Sequence, residues 1–364
     1  MGASNSKVEK KVAWFNDYVN TNLPKSCFVG KTVVITGTTS GTGYILAETC
    51  VERGAANVLL LNRPSSRAVE SEKKLQDLAT ATAAAVVAAN SPSDGVATIP
   101  TTTVVEAIDC DLQDLASVRQ AISTIQSKYE AIDVLCNNAG VMALEDIATK
   151  DGYDVQSQTN HLSHFLLTKE LFPLLKRAAE LRGEARVVNH SSMVRFGSPL
   201  KVDYFEPNSG GKLGGNGGNS VFMNGARWER YHQTKLANAA YSYELSERFR
   251  KMSTDNGTLK AMCAAPGLSS TNLQLNTKAN NGMSDFSMLF MKLSQSAKDG
   301  TLPLLAACFH PDAKNGEFYE PSKMGGIYGP PVQVKFDKNS LIEEQRVMLW
   351  TKSEEACGGP FSIP

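Results

Sequence analysis

Thr32-Val33-Val34-Ile35-Thr36-Gly37-Thr38-Thr39-Ser40-Gly41-Thr42-Gly43 decides the fold. Its first five residues are a β-branched run with the form of a buried strand, and a helix pattern follows from about Tyr44 to Arg53. Between them, glycines 37, 41 and 43 allow a tight turn. Lacking side chains, they let a diphosphate approach the helix N-terminus, where free amides and the helix dipole favour an anion. Strand, turn and helix make the first βα unit of a parallel sheet.

Working outward, uninterrupted apolar strands read at Val58 to Leu61, Val104 to Ile108 and Ala131 to Leu135, a pattern that requires helices on both sheet faces. Further strands read at Arg186 to Asn189, Lys260 to Ala264 and Gly316 to Tyr319. Helices are expected from Ala68 to about Ala89, before a loop at Asn90 to Gly95, and near Ser340 to Lys352. A long helical region from about Tyr153 to Arg182 should be kinked or divided by Pro173. The fold class is therefore α/β, a single doubly wound parallel sheet of Rossmann type. Six of the nine residues from Gly210 to Gly218 are glycine. That stretch reads either as a mobile loop over the site or as a disordered insertion.

The 364 residues are 42% hydrophobic and 20% charged, and Lys+Arg balances Asp+Glu at 37 each. This balance gives no reason to expect nucleic acid and leaves a small molecule as the default partner. Seven scattered cysteines without a Cys-x-x-Cys pair suggest free thiols in a reducing compartment. His161 and His164 lie at helical i, i+3 spacing, but no partner completes a metal set, so no metal is expected. No apolar run approaches the roughly 20 residues of a membrane span, and no secretory signal is visible, which points to the cytosolic side. Met1-Gly2-Ala3-Ser4-Asn5-Ser6-Lys7 fits the Gly-x-x-x-Ser acceptor of N-myristoylation. Behind it, Val8, Val12, Phe15 and Val19 recur at helical spacing beside Trp14, Tyr18, Lys7, Lys10 and Lys11. This segment reads either as a second signal for reversible membrane anchoring or as a helix packing its stripe on the main domain.

Tyr231-His232-Gln233-Thr234-Lys235 places a phenol and an amine four residues apart. On a helix these share a face, so the ammonium can stabilise the phenolate and bring a group that titrates near ~10 closer to neutrality. With Ser192 and Asn160 upstream, the set describes hydride transfer assisted by a tyrosine acid. The second strand ends Leu61-Asn62-Arg63, and Arg67 follows with no carboxylate between. Two guanidiniums there suit a 2′-phosphate, and so NADP(H).

The spacing Gly-x-x-x-Gly-x-Gly resembles that of the short-chain dehydrogenases/reductases, and the resemblance runs from about Lys31 to Pro330. Asn137-Asn138-Ala139-Gly140 matches the family element lining the cofactor cleft, Asp111-Leu112 its adenine-side element, and Pro266-Gly267 with Thr271 its loop over the nicotinamide carboxamide. The resemblance implies cofactor contacts from Gly37, Thr39, Ser40, Gly41, Gly43, Asn138, Ala139, Gly140, Tyr231 and Lys235 as well. Some members carry a basic residue where this chain has Ser40. By resemblance, Tyr231 exchanges a proton with the substrate oxygen, Lys235 binds the nicotinamide ribose, Ser192 hydrogen-bonds the carbonyl, and Asn160 holds a relay water against the lysine.

Asn160 to Thr168, Tyr231 to Asn238, Gln295 to Gly300, and Leu349-Trp350 with Ser353-Glu354-Glu355 are similar to the retinol-dehydrogenase-like branch, which implies lipophilic aldehydes, ketones or alcohols. Two alternatives stand beside this reading. One is light-dependent protochlorophyllide oxidoreductase, which carries a cysteine where this chain has Leu268; the other is a non-catalytic NADPH-binding regulator at a membrane. Phe286, Met288, Leu289, Phe290 and Met291 read as a greasy lid or as helix core. The expected organisation is an amphipathic segment at 1–30, a Rossmann-type catalytic domain at 31–330 and an extension at 331–364.

Overall fold

In the computed structural model, β1 (Thr32–Thr36), β2 (Asn57–Asn62), β3 (Val104–Asp109), β4 (Val134–Asn137), β5 (Glu184–His190), β6 (Thr258–Ala264), β7 (Phe318–Lys323) and β8 (Tyr328–Val334) form one sheet. Their order is β3-β2-β1-β4-β5-β6-β7-β8. The structure describes residues 10–89, 102–217, 223–252, 258–269, 277 and 294–363. Gly2 with its acylation pattern, the loop at 90–95, Gly218, Thr271 and the apolar residues 286–291 lie outside them.

The strands through β7 pair in parallel, as continuous apolar runs require, and β7–β8 is antiparallel. Alternate residues serve two cores. Val34, Leu59, Leu135 and Val187 face one side, whereas Val33, Ile35, Cys136 and Val188 face the other. The first side packs on α4 (Leu115–Lys128), α5 (Ser163–Arg182), α6 (Ala226–Lys251) and α8 (Glu343–Ala356). The second packs on α1 (Phe15–Asn22), α2 (Gly41–Glu52), α3 (Ser66–Ala89) and α7 (Ala297–Phe309).

Several boundaries differ from the sequence reading. β4 starts at Val134 rather than Ala131 because Ile132 donates to Leu174 O at 3.1 Å and so belongs to the approach from α4. The Asp133 carboxylate then accepts from Thr32 N at 2.8 Å and pairs with Arg182 at 2.6 Å, pinning the start of the strand. β8 escaped notice because Pro330 and Pro331 argue against a strand, yet an outermost strand tolerates them. It straddles residue 330, so the sheet continues past the expected start of the extension. Pro173 neither divides nor ends α5. It is exposed, so the hydrogen bond it removes lies on the solvent side, where water can satisfy the carbonyl. The irregularity falls earlier instead, in a π-helical turn at Gln158–Leu162.

At the N-terminus, the Asp299 carboxylate of α7 accepts the amides of Ala13, Trp14 and Phe15, each at 2.9 Å. An acidic group facing free amides at a helix start satisfies donors that have no intrahelical partner. α1 buries Phe15 and Val19, with Leu23 beyond it, so its apolar stripe packs on the body of the protein, while Val12 is exposed. Among the described residues, no helix is long and apolar enough to cross a membrane. Asp299→Ala should cost about 2–4 kcal/mol, since one buried carboxylate serves three amides. Urea unfolding measures this, and an unchanged midpoint would show that the clamp carries no stability.

Candidate active site

A cavity of about 280 Å³ opens at the carboxyl ends of the central strands, where the order reverses around β1 and β4. Among the sequence-derived site residues, Gly37, Thr39, Ser40, Gly41, Arg67, Asn138, Ala139, Gly140, Ser192, Tyr231, Lys235, Pro266 and Gly267 line it. Gly43, Arg63, Asp111, Leu112 and Asn160 lie outside the lining. Gly43 shapes the turn from beneath: a Cβ there would come within 2.3 Å of Gly37 O and 2.4 Å of Asn138 Nδ2. Asp111 folds back to accept from Gln113 N at 3.0 Å, and Leu112 is buried. Ser40 begins α2 without a side-chain cap, leaving the first amides of that helix to the cavity.

Asn138 ties the elements around the cavity together. Its Nδ2 donates to Thr36 O at 2.9 Å and Gly37 O at 3.3 Å, and its Oδ1 accepts from Thr42 Oγ1 at 2.9 Å. Thr36 Oγ1 accepts the amides of Asn138 and Ala139, so it donates its own hydrogen to His164 Nε2 at 3.0 Å. His164 Nδ1 must then carry the other hydrogen and donate to Asn160 O at 3.1 Å. Burial pushes His164 down to about 4, and His161, bonded to Ser353 Oγ at 2.9 Å, to about 3, which keeps both neutral. No three His, Cys, Asp or Glu side chains among the described residues are grouped to hold a metal.

The π-helical turn aims the Asn160 amide at two neighbours. Its Oδ1 accepts from Val141 N at 2.7 Å, and its Nδ2 donates to Val141 O and Thr234 Oγ1, each at 2.9 Å. Gly140 is the close-approach point, since a Cβ there would lie 3.2 Å from Asn160 Oδ1 and 3.4 Å from Lys235 Nζ. The side chain of Asn160 therefore shapes the floor of the site, next to the lysine.

Tyr231 and Lys235 share one face of α6, with Lys235 Nζ 5.7 Å from the phenol ring centre. The electrostatic outcome differs from the sequence expectation. Burial pushes the Tyr231 phenol above its ordinary value, opposed only by the adjacent Ser192 hydroxyl. Burial also drives Lys235 down to about 8, and its Nζ donates to His190 O at 2.9 Å. Desolvation outweighs the attraction between the two groups in the protein alone.

Beyond Tyr231 the wall is apolar: Met142, Val194, Met223, Trp228 and Leu268 line it, and the Trp228 ring meets Tyr231 edge-on at 5.9 Å. Sequence reading missed these residues, although Trp228 lies one helical turn before Tyr231 and its spacing could have revealed it. It also missed His190, just ahead of Ser191 and Ser192, which lines the cavity.

The glycine-rich stretch is anchored through residues 210–217. The buried Asp146 carboxylate accepts the amides of Gly211 at 3.0 Å, Leu213 at 2.9 Å and Gly215 at 2.8 Å. Arg230, fully buried beside Tyr231, donates to the carbonyls of Leu213, Gly215 and Leu144 at 2.9–3.1 Å. It lies 3.3 Å from Asp154 and 3.7 Å from Asp146. Asp154, raised to about 6 chiefly by burial, also caps the turn leading to Asn160 by accepting from Gln156 N and Ser157 N. Residues 210–217 are thus bonded to Asp146 and Arg230 and do not line the cavity.

A family profile described as short chain dehydrogenase matches residues 78–204. A short-chain dehydrogenase/reductase of Armillaria gallica is 30% identical over 80% of this chain and 81% of its own length. Human retinol dehydrogenase 14 is 33% identical over 67% of this chain and 63% of its own length. The chain likewise spans 62% of an uncharacterized oxidoreductase of Schizosaccharomyces pombe, at 30% identity. Among solved structures, an uncharacterized protein from Mycobacterium paratuberculosis superposes with a TM-score of 0.65 at 27% identity, covering 94% of this chain and 98% of that one. At the level of fold alone, a Shigella flexneri short chain dehydrogenase complexed with NADP matches at 18% identity and a TM-score of 0.52, covering 80% of this chain and 97% of its own.

The depressed Lys235 fixes a sign for stability. Below about 8 the folded state bears the cost of a buried charge, and this cost fades as pH rises from about 8 toward the ordinary lysine value of about 10.5. Relative to Lys235→Met, the wild type should therefore gain stability between pH 8 and 10.5. Paired urea titrations at both pH values test this, and parallel stability curves would refute it.

Proposed function

Because this chain belongs to the short-chain dehydrogenase/reductase family, we propose that it transfers a hydride between NADP(H) and a lipophilic carbonyl or alcohol. The observation that carries the proposal is the convergence of Ser192, Tyr231 and Lys235 on one cavity with an uncapped helix N-terminus at one end and an apolar wall at the other. The residues fit a dinucleotide: the α2 amides and glycine turn suit a diphosphate, and Asn138 to Gly140 form the floor. When bound, the nicotinamide supplies the hydride chemistry.

Tyr231 is the proton donor to the substrate oxygen in the reducing direction and the acceptor in the other. Its elevated phenol keeps the proton in place until negative charge develops on that oxygen. Ser192, held beside the phenol, stabilises that charge with its hydroxyl. Lys235 would hold a ribose hydroxyl of the cofactor, whose negative charge would favour the ammonium form and offset part of the desolvation that depresses it. Asn160 is the proposed relay residue, its side chain bonded to Val141 and Thr234 and lying against Gly140, next to the Lys235 amine.

The NADP(H) preference rests on Arg63 and Arg67, both exposed and without an ion pair or hydrogen bond in the described protein. Asn62, where a carboxylate would favour NAD, instead accepts from Thr38 N at 2.8 Å. Asp111, Leu112 and Thr271 complete the proposed cofactor contacts at its two ends. Reaction with lipophilic substrates is supported by Met142, Val194, Met223, Trp228 and Leu268 on the substrate side. Acylation of Gly2 belongs to the same proposal. With the α1 stripe packed inward, one acyl chain would give weak, reversible association with the cytosolic face of a membrane.

NADPH oxidation with long-chain aldehydes and ketones tests the function. Tyr231→Phe should retain NADPH binding and lose at least about 100-fold in turnover, the size of a missing general acid. Equal rates for both proteins would remove the acid from Tyr231. NADPH binding by the wild type without turnover across the whole panel would favour the regulator reading. Replacing Arg63 and Arg67 together by alanine should raise KM for NADPH about tenfold or more and leave KM for NADH nearly unchanged. A parallel loss for both cofactors would contradict the phosphate role.

A further inference from the structure

The hydrogen bonds around Asn138 determine which nitrogen of His190 carries its hydrogen. Because Asn138 Nδ2 donates to the carbonyls of Thr36 and Gly37, the atom facing His190 is Oδ1, which can only accept. His190 Nδ1 lies 3.0 Å from that oxygen and is therefore the N–H donor. A second hydrogen on Nε2 would create an imidazolium beside the Lys235 amine, whose Nζ contacts the carbonyl of His190 itself at 2.9 Å. Burial and that neighbouring charge hold the ring neutral. Nε2 is thus a bare lone pair on a partly exposed ring that lines the cavity, and no group of the described protein donates to it.

A lone pair repels phosphate oxygens and suits an uncharged O–H or N–H donor. His190 ends β5, three strands along from β2, which leads into the Arg63 and Arg67 region. At about 4.8 Å per strand, roughly 14 Å separates the two ends, enough to put them at opposite halves of an extended dinucleotide. Resting on the NADP(H) reading above, we infer that His190 is a cofactor-binding residue whose Nε2 accepts a hydrogen bond from the nicotinamide-side half, through its ribose hydroxyls or its carboxamide. Beside it, Lys235 supplies a donor, so the two side chains present complementary partners to that half.

Calorimetric titration of the full chain tests this with three probes: NADPH, 2′-phospho-ADP-ribose, which lacks the nicotinamide, and 2′,5′-ADP, which lacks the second ribose as well. His190→Leu should weaken NADPH about 3- to 10-fold, the size of one neutral hydrogen bond, and leave 2′,5′-ADP unchanged. His190→Gln, which keeps an acceptor, should recover most of the loss. A matching loss for 2′-phospho-ADP-ribose assigns the donor to the ribose, and a loss confined to NADPH assigns it to the carboxamide. Either supports the inference. Equal weakening of 2′,5′-ADP, or unaltered NADPH affinity in His190→Leu, overturns it. Failure of the wild type to bind any of the three would overturn the NADP(H) reading itself, a result distinct from any difference between variants.

Discussion

The side-chain amide of Asn138 is the constraint on which the site depends. It bonds the end of β1, the first turn of α2 and the last residue of β5, while its own backbone amide reaches Thr36 Oγ1. An amide offers two donor hydrogens and two acceptor lone pairs, and here each has a partner. Two of its partners are also tied elsewhere: Thr36 to His164, and through it to Asn160, and His190 through its carbonyl to Lys235. The glycine turn and the proton-transfer residues therefore form one network at the point where the strand order reverses. A buried amide whose every donor and acceptor is met favours one arrangement of its neighbours, because breaking any of its links leaves a polar group without a partner.

Within that network the charged group is costly and the neutral one comfortable. Lys235 is nearly inaccessible and faces a single carbonyl at hydrogen-bond distance, so its ammonium is poorly compensated. Tyr231 is buried against Trp228 and Met142 and retains its proton. The polarity of the protein alone is thus arranged for a ligand that brings negative charge toward the lysine and leaves the phenol neutral until the substrate oxygen needs its proton. A simple picture of a cation lowering a phenol's pKa omits the larger effect, the removal of water from both groups.

The parallel sheet and the shared face of Tyr231 and Lys235 were legible because they rest on local periodicity. The glycine turn, Asn138 to Gly140 and Ser192 were legible as spaced motifs that lie on strand ends. What stayed hidden depends on contacts between distant residues. Nothing near Asp146 announces that its carboxylate binds three amides some 65 residues away, and only those bonds tie the glycine-rich stretch to the body of the protein beside Arg230. The π-helical turn at Gln158–Leu162 has no propensity signature, and β8 was masked by its prolines until the sheet edge that tolerates them was visible. His190 was passed over because its chemistry is set by Asn138, a residue just past the end of another strand.

Helix α6 shows how these parts are coupled. Trp228, Tyr231 and Lys235 turn toward the cavity, while Arg230, their neighbour in sequence, turns the other way into the Asp146–Asp154 pair and the carbonyls of the glycine-rich stretch. A buried guanidinium is tolerated when its charge is paired and its donors are largely met, as the terminal nitrogens of Arg230 are here, so displacing the stretch would cost those bonds. The same Asp154 caps the turn that delivers Asn160. The glycine-rich stretch, the helix that carries the proton donor and the turn that carries Asn160 are therefore tied to one charge cluster. Adjacent positions on one helix can serve opposite purposes here because 100° per residue sends Arg230 and Tyr231 into different environments, one sealed and ionic, the other open to the reacting molecules.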